Sequence, residues 1–344
     1  MKEISTIGLD LAKQMFQVHG ADAEGNAVLR KALRRSAVLE FFAKLAPCTV
    51  GMEACGGAHY WAREIAKLGH TVKMMPPAYV KPYVKRGKND AVDAEAICEA
   101  VKRPTMRFVP VKSAAQQANA MTYKVRDLLV RQRTQLVNAL RAHLSELGIV
   151  AAQGIGKIAT LSAMVRDESD SRIPAVARLA LCEAAKQIEA LDGRIERLER
   201  EVVSQVRGSD TGRRLSTIPG VGPITAGALL AMVPDPAGFR SARHFAAWLG
   251  FVPRQNSSGG KQRLGSISKQ GNRYLRTLLI VGAQNVLLHM RKDRPVSGWL
   301  AALRARRPFR VAAVALAHKM ARIVWALMAK GGVYRAAQAV VAAS

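Results

Sequence analysis

Aromatic side chains are scarce in this chain, at 5% of 344 residues, so a platform of rings that stacks successive bases is not expected to dominate any nucleic-acid binding. Cysteine is nearly as sparse. Cys48, Cys55, Cys98 and Cys182 form no CxxC pair and no zinc spacing, which argues against a metal–thiolate site and a disulfide framework and leaves reduced thiols. No apolar run is both long and unbroken: 277–290 is short, and 311–328 is interrupted by His318, Lys319 and Arg322. No membrane span is expected from them. The start, Met1-Lys2-Glu3, is followed by no apolar stretch of the secretory kind, so a cytoplasmic, nucleoid-associated location is expected. Acidic residues are the last shortage. They number 25 against 53 Lys and Arg, a formal net charge of +28.

What is present is a globular composition, 49% hydrophobic and 23% charged, in a chain long enough for two cores. Its positive charge is spread over both halves. Such an excess must be screened by an anionic partner or by salt; a polyphosphate backbone fits well through counterion release, and the alternatives are a merely soluble basic protein or one that lies on anionic lipid.

Residues 3–9 and 14–19 read as short strands, with a third over 26–31. A helix over 36–45, a strand over 49–52 ending on Glu53, a helix over 58–68, a strand over 70–75 and a helix over 91–102 follow. Strands first and then alternating helix and strand predict a mixed α/β domain. Residues 113–147 read as a long polar helix. Ile188, Leu191, Ile195, Leu198 and Val202 repeat at alternating steps of three and four, an a/d seam that suits either an antiparallel hairpin within the chain or a coiled coil joining two chains. Residues 215–232, LSTIPGVGPITAGALLAM, have a helix–hairpin–helix pattern in which Gly220 and Gly222 let backbone amides approach a phosphate. Residues 250–276 read as a polar Gly/Ser/Lys/Arg loop, followed by helices over 272–292 and 309–329.

Four acids stand where a metal-dependent nuclease needs them. Asp10 ends the first strand, Glu53 ends a later strand expected beside it, and Asp90 and Asp93 share one face of a helix start. Mg²⁺ prefers such oxygen ligands and can clamp the attacking and leaving oxygens of a phosphodiester. It would also neutralise a cluster that otherwise repels DNA. Lys85, Arg86 and Lys88 offer a phosphate-facing loop just before Asp90. In the second half, Ser257 and Ser258 precede Gly259 and Gly260, which permits close backbone approach and offers a hydroxyl nucleophile. Lys261, Arg263 and Lys269 are placed to stabilise charge on a transferring phosphate, and Arg273 extends the same basic stretch. These residues do not choose between the two serines. They also leave open a Holliday-junction nuclease that uses water as nucleophile, and a binding protein without chemistry.

Five segments, IGLDLAK at 7–13, GMEACGG at 51–57, KNDAVDAEAI at 88–97, IPGVGPITA at 218–226 and SSGGKQRLGSISKQGNRYLR at 257–276, together resemble the DEDD-type insertion-sequence transposases over nearly the full chain. The resemblance implies an α/β RuvC/ribonuclease-H-like catalytic domain over 1–108 and a helical coiled-coil connector over 109–208. It implies a mainly α transposase domain over 209–344 that carries the helix–hairpin–helix and the serine loop. The quartet it implies is Asp10, Glu53, Asp90 and Asp93 with Mg²⁺, and Ser258 is the implied nucleophile, with Ser257 as the fallback. It further implies donor and target DNA as partners, a structured non-coding guide RNA from the same element, and a homo-oligomer, dimer or tetramer, in which one chain's carboxylates complete another chain's serine site.

Overall fold

The computed structural model describes residues 3–85, 87, 89–150, 154–289 and 298–335, so Arg86 and Lys88 lie outside the described residues. The chain divides into two compact units, one up to Gln117 and one from Ala118 onward.

The first unit is built on a five-stranded sheet. Its strands are β1 (Thr6–Asp10), β2 (Met15–Ala21), β3 (Ala27–Arg34), β4 (Thr49–Glu53) and β5 (Thr71–Met75), in the order β3-β2-β1-β4-β5. β1–β2 and β2–β3 pair antiparallel, while β1–β4 and β4–β5 pair parallel. The helices are α1 (Val38–Ala43), α2 (Ala58–Lys67), the single turn α3 (Pro77–Val80) and α4 (Asp90–Val101). The expected mixed α/β sheet is present, with every strand end within a few residues of its expected place. β3 runs longer than its apolar pattern because most of it is exposed.

Period-two alternation divides the sheet's two faces. Ile7, Leu9, Phe16, Val18, Val50 and Met52 point to one side, where Phe42, Trp61 and Ile65 of α1 and α2 complete a core. Gly8 and Gly51, side by side in register, lie on the other side and present no side chain. α4 rests directly on them. A Cβ on Gly8 would lie 2.0 Å from the Ala94 carbonyl oxygen, and one on Gly51 would lie 2.8 Å from the Val101 Cβ. Gly8→Ala therefore forces the α4 backbone off the sheet. The expected result is a loss of about 1–3 kcal/mol or more, read as a lowered thermal midpoint. An unchanged midpoint would show that α4 does not depend on this contact.

The second unit is helical: α5 (Ala114–Glu146, from Ala118 onward), α6 (Ile158–Arg166), α7 (Ala175–Gly208), α8 (Asp210–Ser216), α9 (Pro223–Met232), α10 (Ala242–Trp248), α11 (Arg273–Leu288), α12 (Gly298–Arg306) and α13 (Phe309–Lys330). A small two-stranded sheet, β6 (Pro253–Gln255) and β7 (Leu264–Ile267), interrupts it. α5 and α7, each about 50 Å long at 1.5 Å per residue, run antiparallel. Arg126 ion-pairs with Glu199 and Arg133 with Asp192, so seven residues forward on α5 is seven residues back on α7. Ile188, Leu191, Ile195 and Val202 of the seam are buried within the single chain, as an intrachain hairpin requires.

Two cores serve this unit. One joins Leu140 and Leu144 to α6 and to Leu181 and Ile188 of α7. The other gathers the end of α7 with α8 to α13. α13 is long and apolar enough to cross a membrane, but Ala313, Leu316, Ala317, Met320, Val324 and Leu327 are spent in that core. α6, α10 and α12 are absent from the sequence reading because each is short and shows no sustained period.

Candidate active site

The two bare glycines explain where the acids emerge. On the face that α4 covers, the next residues along β1 and β4 are Asp10 and Glu53, each the last residue of its strand. The register Leu9↔Met52 puts their positions side by side at the same sheet edge. α4 begins there too. Asn89 caps it, its side-chain oxygen accepting from the Ala91 amide at 3.1 Å. Asp90 and Asp93 occupy its first turn, where the helix dipole favours negative charge.

Asp10, Asp90 and Asp93 each offer a carboxylate oxygen, and these three atoms lie within 4.8 Å of one another. Glu53 stands outside that triplet but close enough to feel it: burial first, then the charges of Asp10 and Asp93, push its carboxyl above the usual range. Burial first, then Asp93 and Asp90, likewise raise Asp10. The neighbouring Cys55 thiol is raised by burial and then by Glu53 and Asp10. The donor set is oxygen only, anionic and partly desolvated. It fits a hard divalent cation held through carboxylates and water, and does not fit a soft-metal site.

A consequence for stability follows from the sign of these shifts. A carboxyl whose folded pKa lies above its unfolded value binds protons more readily when folded. Stability then falls as pH rises from the unfolded value of about 3.9 (Asp) or 4.3 (Glu) through the folded one. The metal-free protein thus carries this penalty at neutral pH. Asp10→Asn is expected to melt higher than wild type in EDTA at pH 7, and to lose most of the rise that Mg²⁺ gives the wild type. Equal Mg²⁺-induced rises in a thermal melt of the two proteins would remove Asp10 as a ligand.

Lys85 is ion-paired to Glu95 at 2.6 Å, so its charge is already matched within the unit.

In the second unit, the stretch read as a loop is an ordered hairpin. Gln255 pairs with Leu264, the Asn256 amide donates to the Arg263 carbonyl at 2.9 Å, and the Lys261 amide donates to the Ser258 carbonyl at 3.0 Å. Gly259 and Gly260 at its tip have φ of +54° and +74°, the two left-handed residues of a type I′ turn. Strands of three and four residues that are almost wholly exposed show no apolar alternation, which is why the sequence reads as a loop. The Gly-Gly pair was the available signal.

The hairpin treats its serines differently. The Ser257 hydroxyl accepts from the Arg263 amide at 3.1 Å and from the Gln255 side-chain amide at 3.3 Å, tying the two strands together. The Ser258 hydroxyl, one residue from the tip and exposed, has no hydrogen bond among the described residues. Residues 250–276 contain no Asp or Glu. Lys261, Arg263 and Arg273 are exposed, and none is ion-paired among the described residues. Lys269 holds a left-handed φ of +56°, unusual for a side chain of its size. Behind the hairpin, the buried Arg276 donates to the carbonyls of Leu249 at 2.9 Å and Gln270 at 2.7 Å.

The PGVG turn joins α8 to α9. Gly220 is bare because a Cβ there would lie 2.7 Å from the Gly282 carbonyl oxygen of α11, so its smallness serves packing. Gly222, the residue before α9, is exposed with open space around it.

A family model described as a transposase, of the DEDD IS110 type, matches residues 7–149, and one described as the transposase IS116/IS110/IS902 family matches 212–296. The chain is 52% identical over 335 residues to a family 20 transposase of Pseudomonas aeruginosa, covering 96% of this chain and 99% of that one. It is 41% identical over 338 residues to the transposase for insertion sequence element IS1328 of Yersinia enterocolitica, covering 97% and 99%. Against the transposase for insertion sequence element IS1111A of Coxiella burnetii the identity is 40% over 337 residues, covering 97% and 92%.

Proposed function

Because this chain belongs to the IS116/IS110/IS902 family of transposases, we propose that it cuts and rejoins DNA strands for an insertion sequence, with Asp10, Glu53, Asp90 and Asp93 holding Mg²⁺ and Ser258 as nucleophile. The observation that carries the reading is the convergence of Asp10, Asp90 and Asp93 within 4.8 Å at the sheet edge where Glu53 also ends.

When bound, the cation polarises the scissile phosphate and screens the carboxylates from it. The residues of the chain do the rest. Asp10 and Glu53, fixed by strand pairing, and Asp90 and Asp93, fixed by the start of α4, hold their oxygens in place before substrate arrives. The Ser258 Oγ forms a bond to phosphorus while the bond from phosphorus to the departing sugar oxygen breaks. The serine proton passes to solvent water, and the departing sugar oxygen takes a proton from water and leaves as a hydroxyl. Rejoining reverses this on a new strand, so phosphodiester energy is kept in the serine ester. Lys261 and Arg263, free of acidic neighbours, stabilise the charge on the transferring phosphate. Ser257 keeps the tip in shape.

The finer parts of the reading belong here as well. α8, the PGVG turn and α9 act as a helix–hairpin–helix whose exposed Gly222 amide side meets a phosphate. Arg86, Lys88, Lys269 and Arg273 contact backbone. A net charge of +28 supports two nucleic-acid partners, the DNA and a structured guide RNA whose base pairing sets the target while the protein holds backbones. The chain acts as a dimer or tetramer in the cytoplasm, at the nucleoid, with carboxylates of one copy completing the serine site of another.

The test is a trapping reaction with labelled element-junction DNA, Mg²⁺ and the element's RNA, followed under denaturing conditions. A covalent protein–DNA adduct supports the reading. Cleavage without an adduct would instead favour a junction nuclease that uses water.

A further inference from the structure

The first unit has a second feature at the end of the sheet where the carboxylates emerge, its aromatic wall on the face opposite α4. An open bay of about 690 Å³ lies between the start of β2, the end of β3 and the first turn of α2, lined among others by Gln14, Arg34, Arg35, Tyr60 and Trp61. Its size is that of a small-molecule or nucleotide site.

The lining is chemically specific. The Arg35 guanidinium lies 5.0 Å from the centroid of the Trp61 ring and 5.9 Å from that of Phe16, so it is a flat cation backed by an aromatic wall. Its backbone amide donates to the Gln14 carbonyl at 2.8 Å, which fixes the residue at the strand end. Arg34 pairs with Met15 in the register and is exposed. Neither arginine is in an ion pair among the described residues, in contrast to Arg30, which lies 3.7 Å from Glu95. Tyr60, 43% exposed, forms a T-shaped pair with Trp61 and closes one side. Trp61 itself is buried, so the surface offered is the Arg35 guanidinium laid on it and the exposed Tyr60 ring, with the Arg34 guanidinium beside them as an anion site.

Position adds the rest. The register places Asp10 opposite Gln17 and Met15 opposite Arg34, all toward one end of the sheet. β3 lies two strand spacings, about 10 Å, from β1. That is on the order of three nucleotides along a stacked strand at ~3.4 Å each.

We infer that this bay receives one unstacked nucleotide of the strand that runs past the carboxylates, its base on the Arg35–Trp61 layer against Tyr60 and its phosphate on Arg34. A base within a duplex is covered by its neighbours, so the bay selects a single strand, a flap or a flipped base. The inference rests on the reading that the adjacent carboxylates act on nucleic acid.

The experiment uses the full-length protein in EDTA, so that no strand is cut. A 12-nucleotide DNA carrying one 5-iodouracil is irradiated with the protein, and the adduct is mapped by mass spectrometry; the same sequence in RNA and a blunt DNA duplex are run beside it. The expected adduct lies on Tyr60, with at least a tenfold lower yield from the duplex. Tyr60→Ala is expected to weaken single-strand binding about tenfold, and Tyr60→Phe to restore it, because the ring and not the hydroxyl carries the stacking. Whether DNA or RNA gives the higher yield names the strand, and either result keeps the inference. Adducts confined to the second unit, or equal yields from duplex and single strand, would overturn it. A separate reaction in Mg²⁺ reads cleavage: its absence would remove the nuclease reading while leaving an adduct on Tyr60 in place.

Discussion

Ser258→Ala is expected to abolish both the covalent protein–DNA adduct and strand cleavage, by a factor on the order of 10⁶ if the hydroxyl is the nucleophile. Its side chain is exposed and makes no hydrogen bond among the described residues, so the substitution removes chemistry and leaves the hairpin intact. Ser257→Ala has a different expected outcome. Its hydroxyl accepts from the Arg263 amide and the Gln255 side chain, so its removal loosens the tip by about 0.5–1.5 kcal/mol. Activity then falls partially and the adduct persists. The two variants, assayed in the same trap by denaturing electrophoresis, separate a reacting serine from a positioning one. Full adduct from Ser258→Ala would end the assignment. If the roles were reversed, with adduct lost only in Ser257→Ala, the hydroxyl that is already engaged would have to break two hydrogen bonds before attack.

The second large effect is at the carboxylates. Asp10→Ala is expected to reduce cleavage by at least 10²–10³-fold, the scale of losing one preorganised electrostatic group at a transferring phosphate. DNA binding is expected to persist and to keep its salt dependence, since the contacts that release counterions are basic and lie elsewhere. Removal of one negative charge from a site that must accept a phosphate makes weaker binding the less natural result. The measurement is a pair of titrations, cleavage against Mg²⁺ and affinity against salt, on wild type and variant. Normal cleavage would remove Asp10 from the chemistry, and loss of binding together with a lowered melting temperature would make its role structural.

Asp10 is the residue at which several forces meet. Its strand is paired on both sides, its own carboxyl is raised by burial and by Asp93 and Asp90, and Gly8 two residues earlier sets the distance to the helix that brings those partners. The stability cost of gathering the acids and the rigidity that holds them arise from the same packing.

Much of this was legible in the chain. Asp10 and Glu53 could be placed at strand ends because the apolar runs before them stop there, and Asp90 and Asp93 at a helix start because their spacing is helical. The seam of α7 was visible as a period, but whether it is buried inside one chain or between two was not, because a period names a face and not the surface that covers it. The serine hairpin was missed because its strands are exposed and short. Gly220 was read for phosphate approach; its contact with Gly282, more than sixty residues away in sequence, is encoded by no local pattern. Arg34, Arg35 and Tyr60 carried no signal at all, since they come from separate elements and meet only at a sheet edge.

By itself the sequence determined the order of strands and helices, the excess of positive charge and the ends at which the acids stand, because these depend on local periodicity and composition. Tertiary structure alone decided that Gly8 and Gly51 seat α4 and that three carboxylates come within 4.8 Å. The physical reason is that these are distances between segments far apart in the chain, fixed by which side chains are too small to keep two backbones apart.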